Sequence, residues 1–101
     1  MKVHLINTCL ITEYMERHKD SRKSLSAWLT IMNHTDWNAV ADINETFGFT
    51  SRQGRDVTFY VSTASMIIVC RYHFLANRVH LIIRKIEIHE VQGNQVERSV
   101  R

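Results

Sequence analysis

Two apolar periods divide this chain, and the change from one to the other limits what it can fold into. Leu25, Trp28, Leu29 and Met32 recur at i, i+3, i+4 and i+7, the stripe of a helix with one buried face. From Asp56 the period becomes two: Val57, Phe59 and Val61 alternate with Thr58 and Tyr60, as in a strand covered on one side. After a polar turn at Ser62 to Ser65, the runs 66–74 and 79–88 are rich in β-branched and aromatic residues, and Ala76-Asn77 between them suits a two-residue hairpin turn. Ahead of the helical stripe, Val3 and Leu5 mark a short strand. Thr8 is placed to cap a helix in which Leu10/Tyr14 and Ile11/Met15 repeat at i, i+4. Thr35 or Asp36 is placed to cap a third, short turn through Trp37, Val40 and Ile43, with Phe47 on the same side and Gly48 ending it. The order predicts an α+β domain, its helices on one face of a mostly antiparallel sheet.

A chain of 101 residues has room for one such core, burying roughly 60 to 65% of the surface exposed when unfolded. With 45% hydrophobic residues, three Gly and no Pro it reads as ordered. Residues 1–92 are assigned to the domain, and 93–101, which have no apolar period, to a frayed tail. Cys9 and Cys70 lie inside apolar runs without metal-ligand or redox spacing, so both are expected as small core residues. Residues 1–11 are interrupted by His4 and Asn7 and do not read as a signal peptide, and no run reaches membrane-spanning length. A cytoplasmic protein with no membrane partner is expected.

Charge is unevenly distributed. Residues 1–50 carry 5 Lys/Arg against 6 Asp/Glu, and residues 51–101 carry 8 against 4. The basic surplus falls on the strands, which suits a polyanionic partner or a merely solvated surface. If Leu75 pairs with Arg78, then Phe74/Val79, Tyr72/Leu81 and Cys70/Ile83 face each other on an apolar side that should meet the helices. The opposite side then holds His73/His80, Arg71/Ile82 and Val69/Arg84, with Arg71 and Arg84 as diagonal neighbours roughly 7 to 8 Å apart between Cα atoms. Two arginines on one face suit phosphate, which a planar guanidinium grips in bidentate fashion. The alternative is solvation or pairing with Glu87 and Glu90. No Cys or carboxylate completes a metal site around His73 and His80, so no metal is expected. His89, at a strand end beside Arg84 and Lys85, is a candidate acid or base or a structural histidine.

Three stretches resemble the HigB-type toxins of the RelE-like superfamily. They are Ala27-Trp28-Leu29 with Asp36-Trp37 and Ala41-Asp42-Ile43; Gly54-Arg55 with Val57 to Val61; and Ile83-Arg84-Lys85-Ile86-Glu87-Ile88-His89. The last is similar to the family's Ile-Arg, apolar step, Thr-His pattern. The resemblance covers about residues 20 to 90 and implies a RelE-like fold. It implies a type II toxin that cuts messenger RNA on the ribosome without cofactor or metal and is neutralised by a HigA-like helix-turn-helix antitoxin. In such chemistry a base takes the proton of a ribose 2′-hydroxyl as it attacks the adjacent phosphate, cations hold the developing charge, and an acid protonates the leaving 5′-oxygen. On that template Arg84 and His89 are the catalytic candidates, and Arg71, Lys85, Arg52 and Arg55 position the backbone, with His73 and His80 on the same RNA-binding face. The family's Asn after the strand Phe, its Gly-Asn turn and its Tyr-Arg pair are replaced by Tyr60, Thr63-Ala64 and Met66-Ile67, and its terminal Tyr-Asp by Val91-Gln92. A module that keeps the fold and binds RNA, the ribosome or a protein without cleaving is the second expectation. A third is a protein-contact surface formed by exposed Ile82, Ile86 and Ile88.

Overall fold

The computed structural model describes residues 1–46, 50–61 and 66–88. The elements run β1 (Val3–Ile6), α1 (Cys9–Arg17), a 3₁₀ turn (Lys19–Ser21), α2 (Arg22–Asn33), α3 (Ala41–Thr46), β2 (Thr50–Gln53), β3 (Asp56–Val61), β4 (Met66–Phe74) and β5 (Val79–Ile88). The five strands form one sheet in the order β1-β5-β4-β3-β2. Among the described residues only the β1–β5 pair is parallel; the other three are antiparallel. The fold is therefore α+β on a mostly antiparallel sheet.

One face of the sheet and the helices share a single core. Ile11 of α1, Leu25, Trp28 and Met32 of α2, and Trp37 and Ile43 around α3 are buried against Val57, Phe59, Ile68, Cys70, Leu81 and Ile83. Of the stripe read from the sequence on α2, Leu25, Trp28 and Met32 are buried and Leu29 is partly buried against the same core. Trp28 meets Phe59 edge to face, with ring centroids 5.5 Å apart. Trp37 satisfies its indole N–H on the Thr46 hydroxyl at 2.7 Å, which ties α3 to the segment before it.

Several local expectations are corrected. Thr8 stands at the start of α1, but its side chain makes no capping bond; the Thr8 carbonyl instead accepts from the Ile11 and Thr12 amides. Neither Thr35 nor Asp36 opens the third helix. Asp42 does so from inside its first turn, its Oδ2 accepting from the Asn38 and Ala39 amides at 2.8 and 3.1 Å. Strand β2 was not anticipated. The 62–65 turn, His89 and the 93–101 tail lie outside the described residues.

The hairpin turn at Ala76-Asn77 is as expected, closed by Leu75 N–H donating to the Arg78 carbonyl at 2.8 Å. Pairing then follows the expected register from Phe74/Val79 through Cys70/Ile83 and breaks there. Val69 pairs with Lys85, not Arg84, so Arg84 is the extra residue of a β-bulge. Beyond it the alternation of β5 is inverted: Ile86 and Ile88 oppose Ile68 and Met66 on the helix side, while Lys85 and Glu87 turn outward. Ile86 accordingly packs against the core. The expected outward apolar surface of Ile82, Ile86 and Ile88 does not form, because the bulge places Ile82 on one face and the other two on the opposite one.

The cysteines also separate. Cys70 is buried and desolvation pushes its thiol well above the ordinary range, whereas Cys9, expected in the core, is exposed at the first residue of α1. Only a thiolate reacts with disulfide reagents, and only where the reagent can reach it. Titration of the folded protein with an aromatic disulfide should show one thiol reacting promptly and a second reacting only on unfolding. Two thiols of equal rate would contradict the burial of Cys70.

Candidate nucleic-acid interface

Strand pairing arranges the second face of the sheet in rows. His4, His80 and His73 lie in line across β1, β5 and β4. The next row runs Ile6, Ile82, Arg71 and Asp56, and the one after it Lys85, Val69 and Thr58. A last row holds Glu87, Ile67 and Tyr60. None of these residues is buried. Successive rows are about 7 Å apart, close to the phosphate spacing of an extended strand of RNA.

Asp56 organises the basic residues. It faces Arg71 directly across the β3–β4 pair, and its Oδ1 accepts from Arg71 Nε at 3.1 Å. Arg84 Nη1 lies 3.9 Å from the same oxygen. The bulge permits this, because an extra residue at position 84 re-aims the side chain out of the strict alternation of β5. Lys85, the next residue, stands 3.8 Å from Glu87 through its Nζ. The partner of the two arginines is thus Asp56, not Glu87.

Magnitudes decide what this cluster is for. The side chains of Arg71, Arg84 and Asp56 are 44%, 48% and 41% exposed, and ion pairs that open to water contribute about 0 to 1 kcal/mol. So little stability does not account for two guanidinium groups at one carboxylate. The arrangement does hold both arginines side by side on an accessible face, two cations against the one Asp56 carboxylate, to leave a local positive excess. A phosphate oxygen is the chemical group that completes such a set.

The expected site residues divide into two groups. Arg71, Arg84, Lys85, His73 and His80 are brought onto one face. Arg52 is not: it pairs with Val57, whose side chain is in the core, so it projects to the helix side at the exposed β2 edge. Arg55 lies in the turn before β3, its carbonyl accepting from the Tyr72 amide at 3.0 Å, and it lines a cavity with Tyr72 and Phe74. His89 lies outside the described residues. His4 and His80 rings meet edge to face at 6.4 Å, and among the described residues no group of three His, Cys, Asp or Glu is placed to hold a metal ion.

Two participants were missed from sequence. Asp56 reads there only as a strand boundary. Arg17, in the last turn of α1, comes with Glu13 and Tyr14 to a groove of about 220 Å³ whose other wall is Arg84, Lys85 and Ile86. The periodicity of α1 puts Arg17 on its polar side, but nothing local says which strand that side meets.

No family model matches the chain, and no curated protein matches it in sequence. Among the described residues no helix is long and apolar enough to cross a membrane.

Proposed function

We propose that this chain is the toxin of a type II toxin-antitoxin system, a HigB-like endonuclease of the RelE superfamily that cleaves messenger RNA on the ribosome and so inhibits translation. The observation that carries the proposal is the convergence of Arg71 and Arg84 on Asp56 across an open sheet face, with Lys85 one residue on. An α+β chain with its helices confined to the other face is compatible with the RelE-like arrangement implied by the resemblance. In this proposal Arg84 and Arg71 hold the scissile phosphate. Charge developing on its oxygens as the 2′-hydroxyl attacks is then met by guanidinium groups already in place, and His89 is the candidate acid or base, taking the proton of the 2′-hydroxyl or giving one to the leaving 5′-oxygen. The reaction draws on side chains alone, in the cytoplasm where messages are translated, and a helix-turn-helix antitoxin of the HigA type is the proposed neutralising partner.

A second reading, a RelE-like module that binds RNA or the ribosome without cutting, is favoured by one specific position. Ile67 faces outward opposite Tyr60, where the family's arginine is expected, and the nearest cation on that strand is Arg71, two rows away. Primer extension on a defined message, with and without translating ribosomes, separates the two. Cleavage confined to the translated sample is the expected result. A folded protein that leaves the message intact, yet binds RNA with an affinity falling steeply with salt, would replace the endonuclease with the binding module.

A further inference from the structure

Strand β4 outruns its neighbour. The last β3–β4 pair is Asp56 with Arg71, after which β3 turns away through Gly54 and Arg55 while β4 continues to Phe74. At this free edge a cavity of about 410 Å³ opens, bounded on its far side by Asn38 and Ala39. Tyr72 and Phe74 point to one side of the sheet and His73, a member of the histidine row of the basic face, to the other, and all three line the cavity. Its walls are held in place. The Tyr72 hydroxyl donates to the Gly54 carbonyl at 2.9 Å, and the Tyr72 and Phe74 rings stand edge to face at 5.9 Å. Across the cavity, Asp42 pins the Asn38 and Ala39 amides.

The lining specifies a kind of ligand. Two aromatic rings offer flat apolar contact, Asn38 and His73 offer hydrogen-bonding groups, Arg55 supplies a cation able to stack, and among the described residues no carboxylate lines the cavity. The volume lies in the range of pockets that hold small molecules, about 300 to 1,000 Å³. Single-stranded RNA presents this chemistry when a base is splayed from the backbone, stacked on an aromatic ring and read at its edge.

We propose that this cavity takes one unstacked nucleobase of an RNA strand whose phosphates lie on Arg71, Arg84 and Lys85. The proposal deepens the RNA reading of the neighbouring face and rests on it for the rest of the ligand. It gives Arg55, a turn residue that lines the cavity, a place beside a base.

The test uses two kinds of probe on the full chain. Saturation-transfer NMR with the four ribonucleoside 5′-monophosphates reports the cavity alone, and fluorescence anisotropy compares a single-stranded RNA 12-mer with a 12-unit abasic phosphoribose strand. Expected are saturation of at least one nucleotide's base protons, binding of the RNA roughly 5- to 150-fold tighter than of the abasic strand, and disappearance of both effects in Ala39→Leu, which fills the cavity from an exposed position. If circular dichroism shows Ala39→Leu to be unfolded, Arg55→Gln in the exposed turn serves in its place. RNA and abasic strand bound equally, with no nucleotide saturated, would overturn the base pocket and leave the phosphate face standing. Nucleotide binding that the cavity variant abolishes, together with no binding of either strand by the native chain, would keep the pocket and overturn the reading of the face.

Discussion

An Arg84→Ala chain is expected to cleave a translated message about 10²- to 10³-fold more slowly than the native one, with its melting temperature nearly unchanged. The kinetic part follows from the magnitude of removing one preorganised charge-stabilising group from a reacting centre. The thermal part follows from exposure: Arg84 is half open to water, and its pairing with Asp56 at 3.9 Å contributes no more than about 1 kcal/mol. Asp56→Asn provides the opposite sign in binding. That carboxylate is the anion which a phosphate must share or displace, so its neutralisation should tighten binding of a non-cleavable RNA several-fold at low salt. It should also steepen the salt dependence, because one more phosphate contact releases one more counterion. Primer-extension rates and anisotropy titrations at 50 and 200 mM salt check both. A folded Arg84→Ala chain with unchanged cleavage would remove Arg84 from the chemistry, and weaker binding by Asp56→Asn would make Asp56 a positioning group that the arginines need.

The strands from Asp56 onward were legible because a half-covered sheet imposes period two on side chains, and the 76–77 turn followed from the gap between two such runs. What could not be read had specific causes. Strand β2 (Thr-Ser-Arg-Gln) has no apolar residue, so it carries no period; it exists through backbone pairing with β3 at the sheet edge. The bulge was legible in principle. Val79, Leu81 and Ile83 occupy odd positions and Ile86 and Ile88 even ones, and a strand with one covered face accommodates that change of phase only by one extra residue. Taking the pairing as uninterrupted put Arg84 opposite Val69 and turned Ile86 outward. The grouping of Arg71 with Arg84 survived this error because the bulged side chain still reaches Asp56. Asp56 itself required the β3–β4 register, in which it faces Arg71, and that pairing was not drawn from the two runs although their bounds were read. Arg52 and Arg55 were grouped with the phosphate contacts through the resemblance; the register of β2 with β3 puts Arg52 on the helix side, and Arg55 lies in the turn between those strands.

The largest expected loss of stability is at Trp28, on the face of the molecule away from the arginines. Trp28 is 2% exposed and joins α2 to β3 through its contact with Phe59, which is fully buried. Truncating a buried tryptophan costs about 3 to 5 kcal/mol, through lost transfer energy and the cavity left behind. Total stabilities of domains this size are about 5 to 15 kcal/mol. Trp28→Ala should therefore lower Tm by at least about 10 °C, since each kcal/mol shifts it by about 4 to 8 °C in a domain of roughly 100 residues. Ile31→Ala on the same helix, 44% exposed, should cost far less. Calorimetry of the three proteins measures this, and a Trp28→Ala shift no larger than that of Ile31→Ala would mean that the α2–β3 joint does not hold the sheet. The comparison also isolates the basic face. At a temperature where Trp28→Ala remains folded, its RNA affinity should match that of the native chain, because its effect on binding passes only through the folded fraction, whereas substitution of Arg84 acts on a chain that is fully folded.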